Sequence, residues 1–113
     1  MAEYSVCETA SDLLLEPEDL KEVYELFFAD VRGWLHDVPQ LAAGEREVLA
    51  GLLHSLKGSA NNLRMEELAQ KARLLEKDVL TGLLASDLIA RLAELELDIG
   101  ELEAQIKAFY LQG

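Results

Sequence analysis

The sequence is poor in the residues that build folds other than helical ones. It holds 2 prolines, 7 glycines and only 6% aromatic residues, β-branched residues are few, and Leu, Ala and Glu dominate. Strands are disfavoured by that balance, and an all-α fold is expected. The one cysteine, Cys7, excludes an internal disulfide. A lone thiol near the N-terminus has no companion for a metal site, so it reads as buried or merely tolerated. Basic residues are scarce, 10 against 22 acidic ones, and the resulting formal charge of −12 repels nucleic-acid phosphates and anionic membrane surfaces. No apolar run approaches the ~20 residues that span a bilayer, and residues 1–10 lack a basic stretch followed by an apolar one. A cytoplasmic protein without nucleic-acid, membrane or metal partners is expected.

Chemical motifs of the common enzyme classes are missing too. The stretch from Gly51 to Gly58 lacks the order of a phosphate-binding loop, and there is no helical HExxH pair. The chain is therefore expected to need no cofactor, to bind no ATP and not to phosphorylate itself.

What is present is helical periodicity. At 113 residues, half of them hydrophobic, the chain suits one domain over residues 1–113. In a first segment Leu20, Val23, Tyr24, Phe27, Val31, Trp34, Leu35 and Val38 recur at steps of three and four, with Pro17 suited to the first turn and Pro39 marking the end. The spacing predicts a helix over 17–38. After the turn Ala42-Ala43-Gly44, the residues Leu49, Leu52, Leu53, Leu56, Ala60 and Leu63 predict a second over 45–62. Leu68, Ala72, Leu75 and Val79 predict a third, ended by Thr81-Gly82. A fourth, with Ser86 as its N-cap, carries Leu88, Leu92, Leu95, Ile99, Leu102, Ile106 and Phe109 in a heptad rhythm as far as Tyr110. Short links make sequential helices antiparallel neighbours, so the expected architecture is an up-down-up-down four-helix bundle, with Leu13, Leu14 and Leu15 available to close one end. The heptad rhythm also fits a coiled-coil dimer; three further amphipathic helices needing cover favour a monomer.

The second helix departs from the acidic character of the rest. Residues 44–64 sum to +1, leaving −13 elsewhere. On a helical wheel His54 lies roughly 150° from the apolar stripe, facing solvent. Ala50, Lys57, Gly58 and Asn61 cluster around it at steps of three and four. An ordinary surface histidine is the bland alternative, but it leaves two glycines unexplained. Gly51 and Gly58 each cost about 1 kcal/mol relative to Ala in an exposed helix interior, and close approach by another molecule would account for both. His36 also faces outward, with no nearby lysine or exposed glycine, and reads as a plain surface residue.

The run His54-Ser55-Leu56-Lys57-Gly58-Ser59-Ala60 resembles the signature of the histidine-containing phosphotransfer family, and the similarity continues at Leu63, Leu68 and Leu75-Glu76. The resemblance implies a carrier whose histidine takes a phosphoryl group on Nε2 from an aspartyl phosphate or a kinase and yields it to a receiver-domain aspartate. Neutral imidazole suits that task, and Lys57 one turn on can neutralise phosphoryl charge. The implied partners are the receiver domain of a response regulator and a sensor histidine kinase, hybrid ones included. The partner would supply an acidic pocket and a divalent metal. Glu76 lies on the flank of its apolar stripe, and the resemblance makes it the acceptor from Nδ1–H; the competing reading is a salt bridge to Arg73.

One position departs from the family pattern. Arg64 stands where many members have glycine, so Asn61 or Asn62 is expected to take the left-handed conformation in that turn. Two other readings stay open: a non-phosphorylated helical adaptor that only docks proteins, for which Leu26 and Phe28 beside the first stripe would serve, and a phosphotransfer domain excised from a larger kinase. The initial Met1 favours a free protein.

Overall fold

Helix ends are set by local chemistry, and that chemistry fixes where each face of the chain points. A computed structural model describes residues 3–37 and 45–112, which hold five helices and no strand. They are α1 (Val6–Asp12), α2 (Pro17–Leu35), α3 (Arg46–Asn62), α4 (Glu66–Leu80) and α5 (Ala85–Gln112). Helix α3 packs on α4 and α4 on α5, while α2 touches α1, α3 and α5. None of these helices is long and apolar enough to cross a membrane.

Helix α1 goes beyond the end-closing role expected for the N-terminal leucines. The Ser5 hydroxyl caps it by accepting from the Glu8 N–H at 3.1 Å, and Thr9, though buried, donates to the Ser5 carbonyl. Val6 and Ala10 enter the core; Leu13 is half-buried and Leu14 and Leu15 are exposed. The Cys7 thiol is exposed, not buried. Pro17 opens α2, where the Glu16 N–H donates to the Asp19 carboxylate at 3.0 Å. Helix α2 ends at Leu35; Val38, Pro39 and the turn at residues 42–44 lie outside the described residues.

The buried stripe of α2 is rotated from the one expected. Phe28 is in the core and packs edge-on against Phe27, with ring centroids 5.1 Å apart, whereas Val23 is exposed. A phenyl ring removes more apolar area from water than an isopropyl group, which favours that rotation. Phe28 thus belongs to the core and keeps only a small exposed edge, whereas Leu26 is exposed.

Helices α1, α3 and α4 end in the same way. A residue with positive φ follows the last turn, namely Leu14 (58°), Arg64 (60°) and Gly82 (98°). The next amide then reaches back to the carbonyl five residues earlier: Leu15 to Ala10 at 2.9 Å, Met65 to Ala60 at 2.8 Å, Leu83 to Asp78 at 3.0 Å. Gly82 takes this position as the sequence predicts. After α3 the left-handed residue is Arg64 itself, because the motif requires it one place beyond Leu63, and Asn61 and Asn62 are still helical. Helix α5 starts one residue before the expected cap: the Leu84 carbonyl accepts from Leu88 N–H at 2.9 Å, which puts Ser86 inside the first turn.

The N-terminal segment is tied to the end of α3. Tyr4 Oη donates to the Leu63 carbonyl at 2.7 Å, so its remaining contact, with Tyr24 Oη at 2.7 Å, must be accepted from Tyr24. Burial raises the pKa of both phenols above the usual tyrosine value, keeping them protonated as this chain of donors needs.

Candidate functional site

The site lies on the seam between α3 and α4. Leu49, Leu53, Leu56 and Ala60 are buried and fix the rotation of α3, which turns His54 outward with its side chain 65% exposed. Leu68, Ala72, Leu75 and Val79 do the same for α4 and leave Glu76 at the edge of the contact, with only 19% of its side chain exposed.

Across the seam, His54 Nδ1 stands 3.2 Å from Glu76 Oε2. Lys57 Nζ is 3.7 Å from Glu76 Oε1 and 3.2 Å from His54 Nδ1. A carboxylate can only accept, so the contact with Glu76 is a hydrogen bond when Nδ1 carries the proton. In that tautomer Lys57 has no lone pair to bond on Nδ1, and its charge is balanced by the second carboxylate oxygen. The Nε2 lone pair is then the free nucleophilic position of the ring. Arg73, the rival partner of Glu76, instead donates through Nε to Gln70 Oε1 at 3.2 Å.

The surroundings of His54 fall into two groups. Gly51 and Gly58 are exposed, and a Cβ added at either would meet nothing within 4 Å, so internal packing does not demand glycine there. Ser55, Ser59 and Asn61 are exposed as well, and the Asn61 carbonyl holds the Arg64 amide. Ala50 does not share this face. It is 5% exposed and belongs to the core, a correction to its expected place beside the imidazole. Ala50 and Lys57 are seven residues apart and lie on one flank of α3, the flank on which α4 carries Glu76. A wheel drawn for α3 alone cannot show that lateral neighbour.

His36 is exposed at the end of α2, 3.5 Å from Asp37; an exposed glycine, Gly33, does lie one turn before it, contrary to the expectation, but no lysine stands within a turn of it. The surface grooves are elsewhere: the most apolar, between α2 and α5, is lined by Tyr24, Phe28, Ile106 and Tyr110, and His54 lines none of those described. Among the described residues no three His, Cys, Asp or Glu side chains are gathered as a metal would need. An exposed imidazole on an open helix face, oriented from one side and bare of long side chains on the other, suits a macromolecular partner better than an enclosed small molecule.

Compared with protein-family models, the chain matches the Hpt domain over residues 8–109. No curated protein and no solved structure gives a significant match.

Proposed function

With 102 of its residues, 8–109, matched, the chain belongs to the Hpt domain family, and we propose that His54 is its phosphoacceptor in a phosphorelay. Hpt domains are phosphocarrier modules of two-component signalling, not enzymes, and they interact with receiver domains and kinases. In this reading the chain accepts a phosphoryl group on His54 Nε2 and passes it to or from an aspartate of a response-regulator receiver domain.

The observation that carries the assignment is the approach of His54 Nδ1 to the Glu76 carboxylate on an exposed face. The Nε2 lone pair attacks the phosphorus of the partner's aspartyl phosphate, the bond from phosphorus to the aspartyl oxygen breaks, and that oxygen keeps the electron pair as carboxylate. Nδ1 keeps its proton, and Glu76 stabilises the positive charge that the ring acquires. Lys57, half-buried beside the ring, offsets charge on the phosphoryl oxygens. Gly51, Gly58 and Asn61 form the surface that the receiver approaches.

The same reading extends to the architecture. The short links Leu63–Met65 and Thr81–Leu84 support an up-down-up-down antiparallel bundle of α2 to α5, with α1 packed on α2. We assign the chain as a single-domain, monomeric, cytoplasmic carrier.

Incubation with a phosphorylated receiver domain, or with a kinase and labelled ATP, tests the assignment. Acid-labile, base-stable phosphate on the parent and none on His54→Gln, with unchanged helical content, is the expected result. Transferable phosphate on His54→Gln would overturn it.

A further inference from the structure

The level at which His54 meets Glu76 is measured from one turn. His54 lies nine residues before Leu63, about 13 Å along α3, and Glu76 eleven residues after Met65, about 16 Å along α4. The two helices fold back on each other at Leu63–Met65. Side chains lean toward the N-terminus of their own helix, so His54 reaches away from the turn and Glu76 back toward it. The two leans close the difference in level, and the pair meets at 3.2 Å. A slip of α3 along α4 by one residue's rise, about 1.5 Å, would take this contact to the limit of hydrogen-bond range or past it.

The turn is held from outside by the N-terminal segment. Leu63 and Met65 are buried, but apolar packing is non-directional and does not by itself fix an axial position. The Leu63 carbonyl closes α3, among the terminal carbonyls that intrahelical amides do not reach, and it accepts from Tyr4 Oη at 2.7 Å. Tyr4 is itself fixed on three sides. Its N–H donates to Gln105 Oε1 of α5 at 2.8 Å, and its hydroxyl accepts from Tyr24 Oη of α2 at 2.7 Å. Its ring stands edge-on to that of Tyr24, with centroids 6.1 Å apart. One phenol thus ties the end of α3 to α2 and α5, the helices that do not carry the site. The ion pair of Arg64 with Asp12 comes from the same segment, but it is exposed and adds little.

We propose that Tyr4 is a positioning residue for the phosphoacceptor: by holding the Leu63 carbonyl, its hydroxyl fixes the register of α3 on α4 and with it the contact of His54 Nδ1 with Glu76. Its consequence for transfer rests on the reading of His54 as phosphoacceptor; its effect on the imidazole rests on geometry alone. Tyr4 acts on the site only through the turn.

Nitrogen-15 NMR of the imidazoles in the full chain, with the His54 signals assigned from His54→Gln, tests the proposal on Tyr4→Phe and Tyr24→Phe. Each variant removes one hydroxyl of the same pair, and Tyr24→Phe spares the bond from Tyr4 to Leu63. In Tyr4→Phe the share of His54 with its proton on Nδ1 should fall, and phosphoryl transfer should slow by about threefold, the scale of one neutral hydrogen bond lost. In Tyr24→Phe both should keep the parent's values, and circular dichroism of both variants should match the parent. Adding Tyr4→Phe to Glu76→Ala should slow transfer no further, because Tyr4 acts through the contact that Glu76→Ala has already removed. A tautomer ratio in Tyr4→Phe equal to the parent's, an equal change in Tyr24→Phe, or additive slowing in the double variant would overturn the proposal. The ratio is read without any transfer, so a parent that carries no phosphate would sink the reading of His54 while the ratio still decides the role of Tyr4.

Discussion

His54 and Glu76, 22 residues apart in sequence, meet across the α3–α4 seam with Nδ1 3.2 Å from Oε2. With the proton on Nδ1 this contact is a hydrogen bond, and in the proposed function it holds the tautomer whose Nε2 can attack. Glu76→Ala should slow phosphoryl transfer without abolishing it. One hydrogen bond to a charged group is worth about 1.5–3 kcal/mol, and exposure of the ring reduces that, so a loss of roughly tenfold is expected. Glu76→Gln should recover much of the rate, because an amide oxygen accepts the same bond. Nitrogen-15 NMR of the imidazole checks the cause: an unchanged tautomer ratio in Glu76→Ala would show that Glu76 does not orient the ring.

Lys57 stands between two demands, 3.2 Å from Nδ1 and 3.7 Å from the Glu76 carboxylate. Lys57→Met keeps the aliphatic stem and removes the charge. We expect transfer to fall by roughly tenfold to a hundredfold, the equivalent of one charge-assisted contact, with little change in thermal stability because the ion pair is partly exposed. Rapid-quench kinetics against the receiver domain would measure it. A rate equal to the parent's would leave Lys57 as a solvated surface residue.

Gly58 separates stability from function. With open space around an added Cβ, Gly58→Gln should stabilise α3 by up to ~0.5 kcal/mol through propensity while obstructing the receiver. Gly58→Ala, adding one methyl, should stabilise more and obstruct less. In each variant, relative to the parent, stability measured by urea denaturation should rise while the transfer rate falls. Unimpaired transfer in Gly58→Gln would remove close approach as the reason for the glycine.

The pairing of His54 with Lys57 was legible in the spacing of α3, and the spacing of α4 put Glu76 on the edge of its buried stripe, but that Glu76 faces His54 rather than Arg73 was implied only by the family resemblance. What the sequence hid has physical reasons. Helix α1 spans too few turns for periodicity to register, and it is held by the Ser5 cap and by burial of Val6, Thr9 and Ala10. Ala50 looked outward on its own helix and is covered by lateral packing, which single-helix geometry omits. Phe28 displaced Val23 from the core because the choice between adjacent apolar residues depends on what faces them. Arg64 gave no local signal for a left-handed residue, since the conformation is imposed by the hydrogen bonds on either side of it.

Those hydrogen bonds make Arg64 the place where the turn can be tested. At φ 60° an L-residue with a long side chain costs roughly 1–2 kcal/mol relative to glycine, and among the described residues the offsets are an exposed ion pair of Arg64 Nε with Asp12 at 3.7 Å and a bond from Nη1 to the Asn61 carbonyl at 3.4 Å. Arg64→Gly should therefore stabilise the fold by about 1 kcal/mol, raising Tm by roughly 4 °C for a domain of this size. Arg64→Val should do the opposite, because a β-branched residue tolerates positive φ worst. The turn also bears the Leu63 carbonyl held by Tyr4, so a relaxed turn should leave that bond intact and transfer from His54 unchanged. Thermal denaturation of the two variants decides the matter: if Arg64→Gly melted below the parent, the left-handed geometry at Arg64 would be wrong, and with it the register in which α4 presents Glu76 to His54.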